Sequence, residues 1–413
     1  MKIVHLSYSD ISGGAARATY RIHHSLIKKG VTSQMWVNKK ISEDWTVKQP
    51  SSKITRVLNE LNPRLMRHVS KKILETNNKT IHSISLISSK WINHINNSDA
   101  DIVHLHWIQN EMLSIKDISK IKKPIVWTPQ DMWPFCGAEH YTDDNRWLEG
   151  YNSNNRPDYE SGFDLNRWTW QRKKKYWKTP IQTVTASNWL AKCVMKSVLM
   201  KNWPVSIVPN PIDTNSWRPI DKTFSRDCLN LPQKDKLLLF GAAGGTSDHR
   251  KGFDLIESSL KLLHNKSNDN ITLLIFGQSR PEIPQDFGLP VHYIGNLQDE
   301  TSLQCVYNTA DAMLIPSRQD NLPNTAVEAH ACGVPVVAFD IGGLSDIVKH
   351  QQTGYLAKAF DVVDFANGIT WTLDHNKSMQ LGNNARKHAE LYFSEDKIAQ
   401  EYMSIYNKIL KME

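Results

Sequence analysis

Residues 311–339 read Asp311-AMLIPSRQDNLPNTAVEAHACGVPVVA-Phe339, and this stretch decides the fold class. An apolar run ends at Ile315. A helix is expected from near Pro323 or Asn324 as far as Gly333, which stops it just before Pro335. A second apolar run, Pro335 to Phe339, follows at once. Working outward, the same alternation fills the chain. In the first half the strand-like runs are Lys2 to Ser7, Ser33 to Val37, Asp101 to His106, Pro124 to Thr128, Thr183 to Ala186 and Val205 to Val208. In the second half Lys236 to Phe240, Ile271 to Phe276 and Val291 to Ile294 precede the quoted stretch. Apolar strands alternating with helices predict parallel sheets covered on both faces, an α/β architecture. Two such sets flank the proline-marked stretch Pro204 to Pro219. The expectation is two Rossmann-like domains, residues 1–208 and 209–393, and a closing helix over 394–413. Ser394 would cap that helix, with Glu395 and Asp396 in its first turn, and it would pack back on the N-terminal domain.

A chain of 413 residues exceeds one ordinary core. With 40% apolar and 22% charged residues it reads as globular, which excludes wholesale disorder. No window approaches 18 uninterrupted apolar residues, so a spanning helix is not expected. Met1 to Leu6 enters an apolar run directly, without the pattern of an export signal. Five scattered cysteines without a C-x-x-C pair point to reduced thiols in a cytoplasm. Charge is divided unevenly. Residues 1–210 hold 31 Lys and Arg against 17 Asp and Glu, and the remainder 19 against 25. The basic half also carries 13 of the 14 tryptophans, if Trp217 is counted with it. Its surface suits an anionic, partly apolar partner.

In open α/β sheets, ligands bind outside the carboxyl ends of strands. The first such junction is Ser9-Asp10-Ile11-Ser12-Gly13-Gly14, where Gly13 and Gly14 let amides approach a phosphate or sugar. The second is Phe240 to Thr246, including Gly244 and Gly245, followed by Arg250 and Lys251. Small residues before adjacent cations suit a diphosphate, although the spacing is not that of a Walker loop. The third is the quoted stretch itself. Asp320 sits in the loop entering the helix and Glu328 about one turn inside, so both carboxylates can face one cleft. The amides of the helix N-terminus lie between them.

These residues resemble the GT-B glycosyltransferases of the large retaining family often called GT4, especially enzymes of bacterial O-antigen and exopolysaccharide assembly. Asp320-x7-Glu328 stands where the family has E-x7-E, and it leads into Glu328-Ala329-His330-Ala331-Cys332-Gly333-Val334-Pro335-Val336-Val337. Other matches are Ser187-Asn188-Trp189-Leu190, Pro209-Asn210-Pro211-Ile212-Asp213, Arg250-Lys251-Gly252-Phe253-Asp254, Gly342-Gly343 and Gln352-Thr353-Gly354-Tyr355-Leu356. The resemblance implies that Lys251, helped by Arg250, holds the diphosphate of a UDP- or GDP-linked sugar. It implies that Glu328 binds the ribose and Asp320 the transferred sugar. Amides around Asn321, Leu322, Pro323, Asn324 and Thr325, together with Gly14, would meet phosphate or sugar oxygens. Transfer would retain anomeric configuration without a metal or other cofactor. Two departures stand out. The first acid is Asp320 rather than Glu, and the family's His-Asp after the fourth strand reads Gln130-Asp131. Glutamine can donate a hydrogen bond but cannot act as a general base.

On the acceptor side, residues 51–98 read as basic and helical, broken at Pro63, and 129–180 as a long aromatic, polar loop. Within the first, Lys53, Arg56, Arg64, Arg67, Lys71 and Lys72 interleave with apolar residues, the pattern of a helix lying on an anionic membrane. Arg167 to Trp177 is similar in type. These segments are expected to hold a lipid-linked oligosaccharide at the inner membrane face. Gln130, Asp131, His106 and His140 are candidate contacts to the acceptor or the sugar. His104 and His106 share one strand face, but no third ligand at a recognisable spacing completes a metal site. Two other functions fit parts of the pattern: a nucleotide-sugar epimerase or glycosyl phosphorylase, and a basic nucleic-acid-binding module. The acidic second half and the lack of an RNA-binding signature count against nucleic acid.

Overall fold

A computed structural model describes residues 1–241, 248–264, 270–297, 299–376 and 379–411. The chain divides into two units, Met1–Asn210 with Ile398–Glu413, and Pro211–Lys397. In the first, seven parallel strands lie in the order Val47–Lys48, Thr32–Lys39, Lys2–Ser9, Ile102–Leu105, Ile125–Trp127, Gln182–Thr185, Val205–Ile207. In the second, six parallel strands run Val291–Gly295, Ile271–Phe276, Lys236–Gly241, Ala312–Ile315, Val336–Phe339, Gly354–Ala357. Numbered along the chain within each unit, both sheets read 3-2-1-4-5-6, with a seventh strand in the first. This is the doubly wound order, whose switch point lies between strands one and four.

The central strands are predominantly apolar because both faces are covered. Ile271–Phe276, Ile102–Leu105 and Val336–Phe339 are buried at every residue. On one face of the first sheet Ile3, Ile102, Val126 and Val184 pack against Ile22 and Leu26 of the Gly14–Lys28 helix. Ile398, Tyr402 and Tyr406 of the closing Glu395–Lys411 helix join the same cluster. The Tyr406 hydroxyl is hydrogen-bonded to His104 Nδ1 at 2.7 Å, so the C-terminus is held by buried polar contacts as well as by apolar area. In the second sheet Leu238, Leu273 and Leu314 meet Ile256, Leu260 and Ile369. Asp99 and Asp101 are structural: Asp101 accepts from the Lys2 amide at 2.7 Å and Asp99 pairs with Lys2 Nζ at 2.6 Å.

Two expectations are corrected. The helix over Lys53–Ile73 is continuous and contains Pro63. Proline removes the N–H that would reach the carbonyl of Asn59. The Tyr8 hydroxyl donates to that carbonyl instead, at 3.4 Å. The segment 129–180 is not an open loop. It contains helices Arg146–Glu149 and Leu165–Tyr176 and a strand, Glu160–Gly162, antiparallel to Leu74–Thr76. Met132, Trp133, Phe135 and Tyr141 belong to the core of the first unit. Fully buried Lys173 gathers this segment: its Nζ donates to the carbonyls of Trp133, Cys136 (3.0 Å) and Gly137 (2.6 Å). Burial lowers its pKa to about 7. Trp170 and Trp177 are likewise buried, so the Arg167–Trp177 stretch turns much of its aromatic surface inward.

Candidate active site

The switch point of the second sheet lies outside the ends of Lys236–Gly241 and Ala312–Ile315. Gly244 and Gly245 fall outside the described residues, but the chain is described again from Asp248, where a short 3-10 turn spans His249–Lys251. Asp248 caps that turn and pairs with Arg250 at 2.7 Å. Gly252 follows with φ 68°, and a Cβ there would lie 1.9 Å from the carbonyl oxygen of Pro316. Only glycine permits this approach. It sets Lys251 against the loop leaving Ile315, where Lys251 Nζ meets Asp320 Oδ2 at 2.7 Å. Two further contacts lock the loops together: the Arg318 amide donates to the Arg250 carbonyl at 2.7 Å, and the Arg318 guanidinium forks onto Asp254. Gly342 lies equally close, since a Cβ would come within 2.1 Å of the Asp320 carbonyl oxygen, which accepts from the Gly343 amide at 3.1 Å.

The following helix covers Asn324–Ala331, with Pro323 at its N-cap, so no side chain caps it. Asn321 and Leu322 are buried beside Asp320 in the chain, and Thr325 opens the helix with Asn324. Glu328 is 5% exposed, and its Oε2 accepts from the Tyr307 hydroxyl at 2.8 Å. Tyr307, wholly buried on the Glu300–Thr309 helix, is a partner of Glu328 that the sequence did not single out. No motif marks it, because its partner is 21 residues away. The structure thus pairs Lys251 with Asp320 and Glu328 with Tyr307. Arg250 lies beside them but is turned onto Asp248.

At the first unit's switch point, Gly13 stands at the N-cap of the Gly14–Lys28 helix with φ 92° and no neighbouring atom within 4 Å of a Cβ position. Its loop is fixed by Asp10, wholly buried, whose carboxylate accepts from the amides of Ile11, Ile41 and Ser42 at 2.8–3.1 Å. Gln130 precedes a hydrogen-bonded chain. Asp131 Oδ2 accepts from Trp107 Nε1 at 2.9 Å and contacts His140 Nδ1 at 2.6 Å, while His140 Nε2 lies 2.8 Å from Ser83 Oγ. Burial pushes the Asp131 carboxyl up, but His140 and the donated hydrogen bonds outweigh it and hold the group below its ordinary value. His140 is 4% exposed with both ring nitrogens engaged, so it orients its neighbours rather than opening onto solvent.

His106 belongs elsewhere. It is fully buried, and its Nε2 lies 2.9 Å from His5 Nδ1. The third imidazole of this cluster, which sequence spacing did not reveal, is His5, aligned with His104 on the adjacent strand. The potential ligand atoms of His5, His104 and His106 lie within 4.8 Å of one another. Burial, with neighbouring imidazoles second, holds all three well below the usual histidine range, His106 at about 3. His104 spends both nitrogens on Tyr406 and Thr128, which makes it a support of the C-terminal helix.

Residues 221–388 match the family model for glycosyl transferases group 1. Two relatives in sequence are a D-inositol 3-phosphate glycosyltransferase of Gordonia bronchialis and a Campylobacter jejuni protein. The first is 28% identical over 222 residues, covering 50% of this chain and 48% of that protein. The second is the N,N'-diacetylbacillosaminyl-diphospho-undecaprenol alpha-1,3-N-acetylgalactosaminyltransferase, 28% identical over 229 residues, 53% of this chain and 55% of that one. The chain thus spans about half the length of the curated relatives it matches. Anabaena HepE, solved in complex with UDP and glucose, superposes over 99% of this chain and 100% of its own with TM-score 0.65 at 16% identity. The fold is therefore GT-B, two Rossmann-like units in one chain. The residues that match the family model all lie in its second unit.

Proposed function

We propose that this chain is a glycosyltransferase that moves a sugar from a nucleotide diphosphate donor to a lipid-linked glycan, with retention of anomeric configuration and without a metal. The observation that carries the reading is the Lys251–Asp320 pair at the second switch point, with Glu328 on the helix that follows. Lys251 and Arg250 are the cations available to a leaving diphosphate, and their positive charge stabilises the oxygen that departs. Asp320 holds the lysine in place beforehand and keeps lone pairs for hydroxyls of the transferred sugar. Glu328, oriented by Tyr307, accepts from the ribose hydroxyls. The acceptor oxygen forms its bond to the anomeric carbon on the face from which the phosphate oxygen leaves. That departing oxygen takes the acceptor's proton, so no protein base is required, consistent with Gln130 at a position where the resembled family carries histidine.

Transfer to a bacterial surface polysaccharide precursor fits the naming of the Campylobacter relative, whose acceptor is diphospho-undecaprenol-linked. No helix among the described residues is long and apolar enough to cross a membrane. Contact with an anionic membrane face would instead be peripheral, through the Lys53–Ile73 helix. The test is a thermal-shift screen of UDP- and GDP-sugars, then product analysis with and without a lipid-linked acceptor. Glu328→Ala should remove most donor binding with the fold intact. Near-normal turnover in Lys251→Ala defeats the diphosphate assignment, and donor conversion without acceptor would make this an epimerase or phosphorylase.

A further inference from the structure

The five cysteines are far apart in sequence, but the fold brings two of them together. Cys228 ends the Lys222–Cys228 helix and is exposed, and Cys305 is half-buried on the Glu300–Thr309 helix. The Cys305 thiol donates to the Ser225 carbonyl at 3.7 Å. Cys228 stands three residues beyond Ser225 on the same side of that helix, and its thiol meets that of Cys305. Burial first, and Cys228 second, raise the Cys305 pKa, so this thiol rests protonated. The two helices are pinned side by side. Buried Arg226 donates through Nε to the Thr309 carbonyl at 3.0 Å and pairs with Asp311 at 2.9 Å, which Lys222 also reaches at 2.8 Å. Holding two reactive groups in place this way favours their reaction with each other over reaction with anything in solution. The other three cysteines, Cys136, Cys193 and Cys332, are buried. An accessible cysteine beside a second thiol that can resolve it is the arrangement of a redox-responsive pair.

The helix that carries Cys305 decides what such a pair acts on. Cys305 and Tyr307 are two residues apart, roughly 200° around the helix axis. Their contacts agree: Cys305 turns to Ser225, and the Tyr307 hydroxyl turns to Glu328 Oε2 at 2.8 Å. A single turn of helix therefore separates the thiol pair from the carboxylate proposed to bind the ribose. A disulfide brings its sulfurs to about 2.05 Å, well inside any non-bonded contact. The two helices must adjust to reach that length, and the turn bearing Tyr307 is part of what adjusts.

We propose that Cys228 and Cys305 form a reversible disulfide in exchange with a low-molecular-weight disulfide, and that its closure shifts the Tyr307 turn and weakens donor binding. The exposed Cys228 thiolate attacks glutathione disulfide, forming a mixed disulfide and releasing one glutathione thiolate. Cys305 gives its proton to solvent and attacks the Cys228 sulfur, which releases the second glutathione. The two protein thiols lose two electrons and two protons, and the oxidant takes them up as two thiols. The effect on the donor rests on the role proposed above for Glu328, whereas disulfide formation does not. The test incubates the full chain with glutathione disulfide, then maps unreduced peptides by mass spectrometry. Hydrogen exchange over residues 300–309 and UDP affinity by calorimetry are read before oxidation, after it, and after dithiothreitol. A cross-linked peptide pair containing Cys228 and Cys305 should appear. Exchange over residues 300–309 should change at least ~3-fold, and UDP should bind at least ~3-fold more weakly. Dithiothreitol should restore all three. Cys228→Ser should bind UDP as the reduced chain does and lose every response to the oxidant. Glutathione retained on Cys228 without closure overturns the proposal. So does closure that leaves exchange over residues 300–309 unchanged, or leaves the affinity for bound UDP unchanged, or a full response in Cys228→Ser. UDP bound by neither form overturns the donor reading instead, and the peptide map with hydrogen exchange then decides this one.

Discussion

Gly252 is where backbone geometry meets the proposed donor site, and Gly252→Ala tests both. Two costs arise. With φ 68° the alanine sits in the left-handed region, a penalty of about 1–2 kcal/mol. Its Cβ would also fall 1.9 Å from the Pro316 carbonyl oxygen, and contacts under 3.0 Å are essentially never sustained. Backbone on one side must retreat by at least ~1 Å, and Lys251 is the adjacent residue. A displacement of that size at a reacting centre costs on the order of 100-fold in rate, or about 2.7 kcal/mol of transition-state stabilisation. The expected result is a loss of about 2–3 kcal/mol in stability, read by urea unfolding, and a ~100-fold fall in kcat/KM for the donor. Gly30→Ala is the control: φ is 81° there, but no atom lies within 4 Å of its Cβ position. It should lose about 1 kcal/mol and no activity. If Gly252→Ala is no worse than Gly30→Ala in either measurement, the coupling between this turn and the donor site is refuted.

Tyr307→Phe removes the hydroxyl that orients Glu328. Donor KM should rise ~10-fold with kcat changed less, and an unchanged KM in the Phe variant beside a loss in the Ala variant would show that the hydroxyl is irrelevant. Lys173→Met leaves three buried carbonyls without their donor, and denaturant unfolding should show a loss of about 3 kcal/mol or more. Stability should also fall as pH drops from 7 to 5. Burial holds His106 and His23 near 3 against an ordinary 6.5. The unfolded chain therefore binds more protons below 6.5, and stability present above that value is lost as pH falls toward 3, about 2 kcal/mol per histidine by pH 5. Glu139, which burial raises to about 7, acts with the opposite sign and offsets about one histidine. A pH-independent urea midpoint would contradict this.

The strand order could be anticipated because each core strand is a short apolar run bounded by turn residues. Ile271–Phe276 has the bounds its composition implies. The errors came from elements whose stability is tertiary. Val47–Lys48 is two residues long and exists only by pairing with Met35 and Trp36. Pro63 should end a helix when local sequence alone is weighed. Here the carbonyl it orphans finds the Tyr8 hydroxyl, 51 residues distant. The segment 129–180 carries too many polar residues for a core by composition. Much of its polarity is spent internally: Arg146 faces Glu160 and Asp164, and Lys173 faces three carbonyls.

The site divides along the same physical line. Asp320, Glu328, Arg250 and Lys251 are legible because strand-to-helix junctions place them by sequence alone, in the loop after a strand or in the first turns of the helix that follows. Their partners are not, since Tyr307, the Pro316 carbonyl opposite Gly252 and the Asp320 carbonyl opposite Gly342 are set by packing between separate crossovers. His5 illustrates the limit. It lies 99 residues before His104, and only the parallel register of the two strands makes them neighbours. A residue proposed to act directly on a ligand can thus be read from its junction. The residue that fixes its angle can be read only once the sheet is assembled. It follows that substitutions at Tyr307 and Gly252 should alter donor affinity as strongly as some substitutions at the junctions themselves, although no motif contains Tyr307 and the motif containing Gly252 does not reveal why it must be glycine.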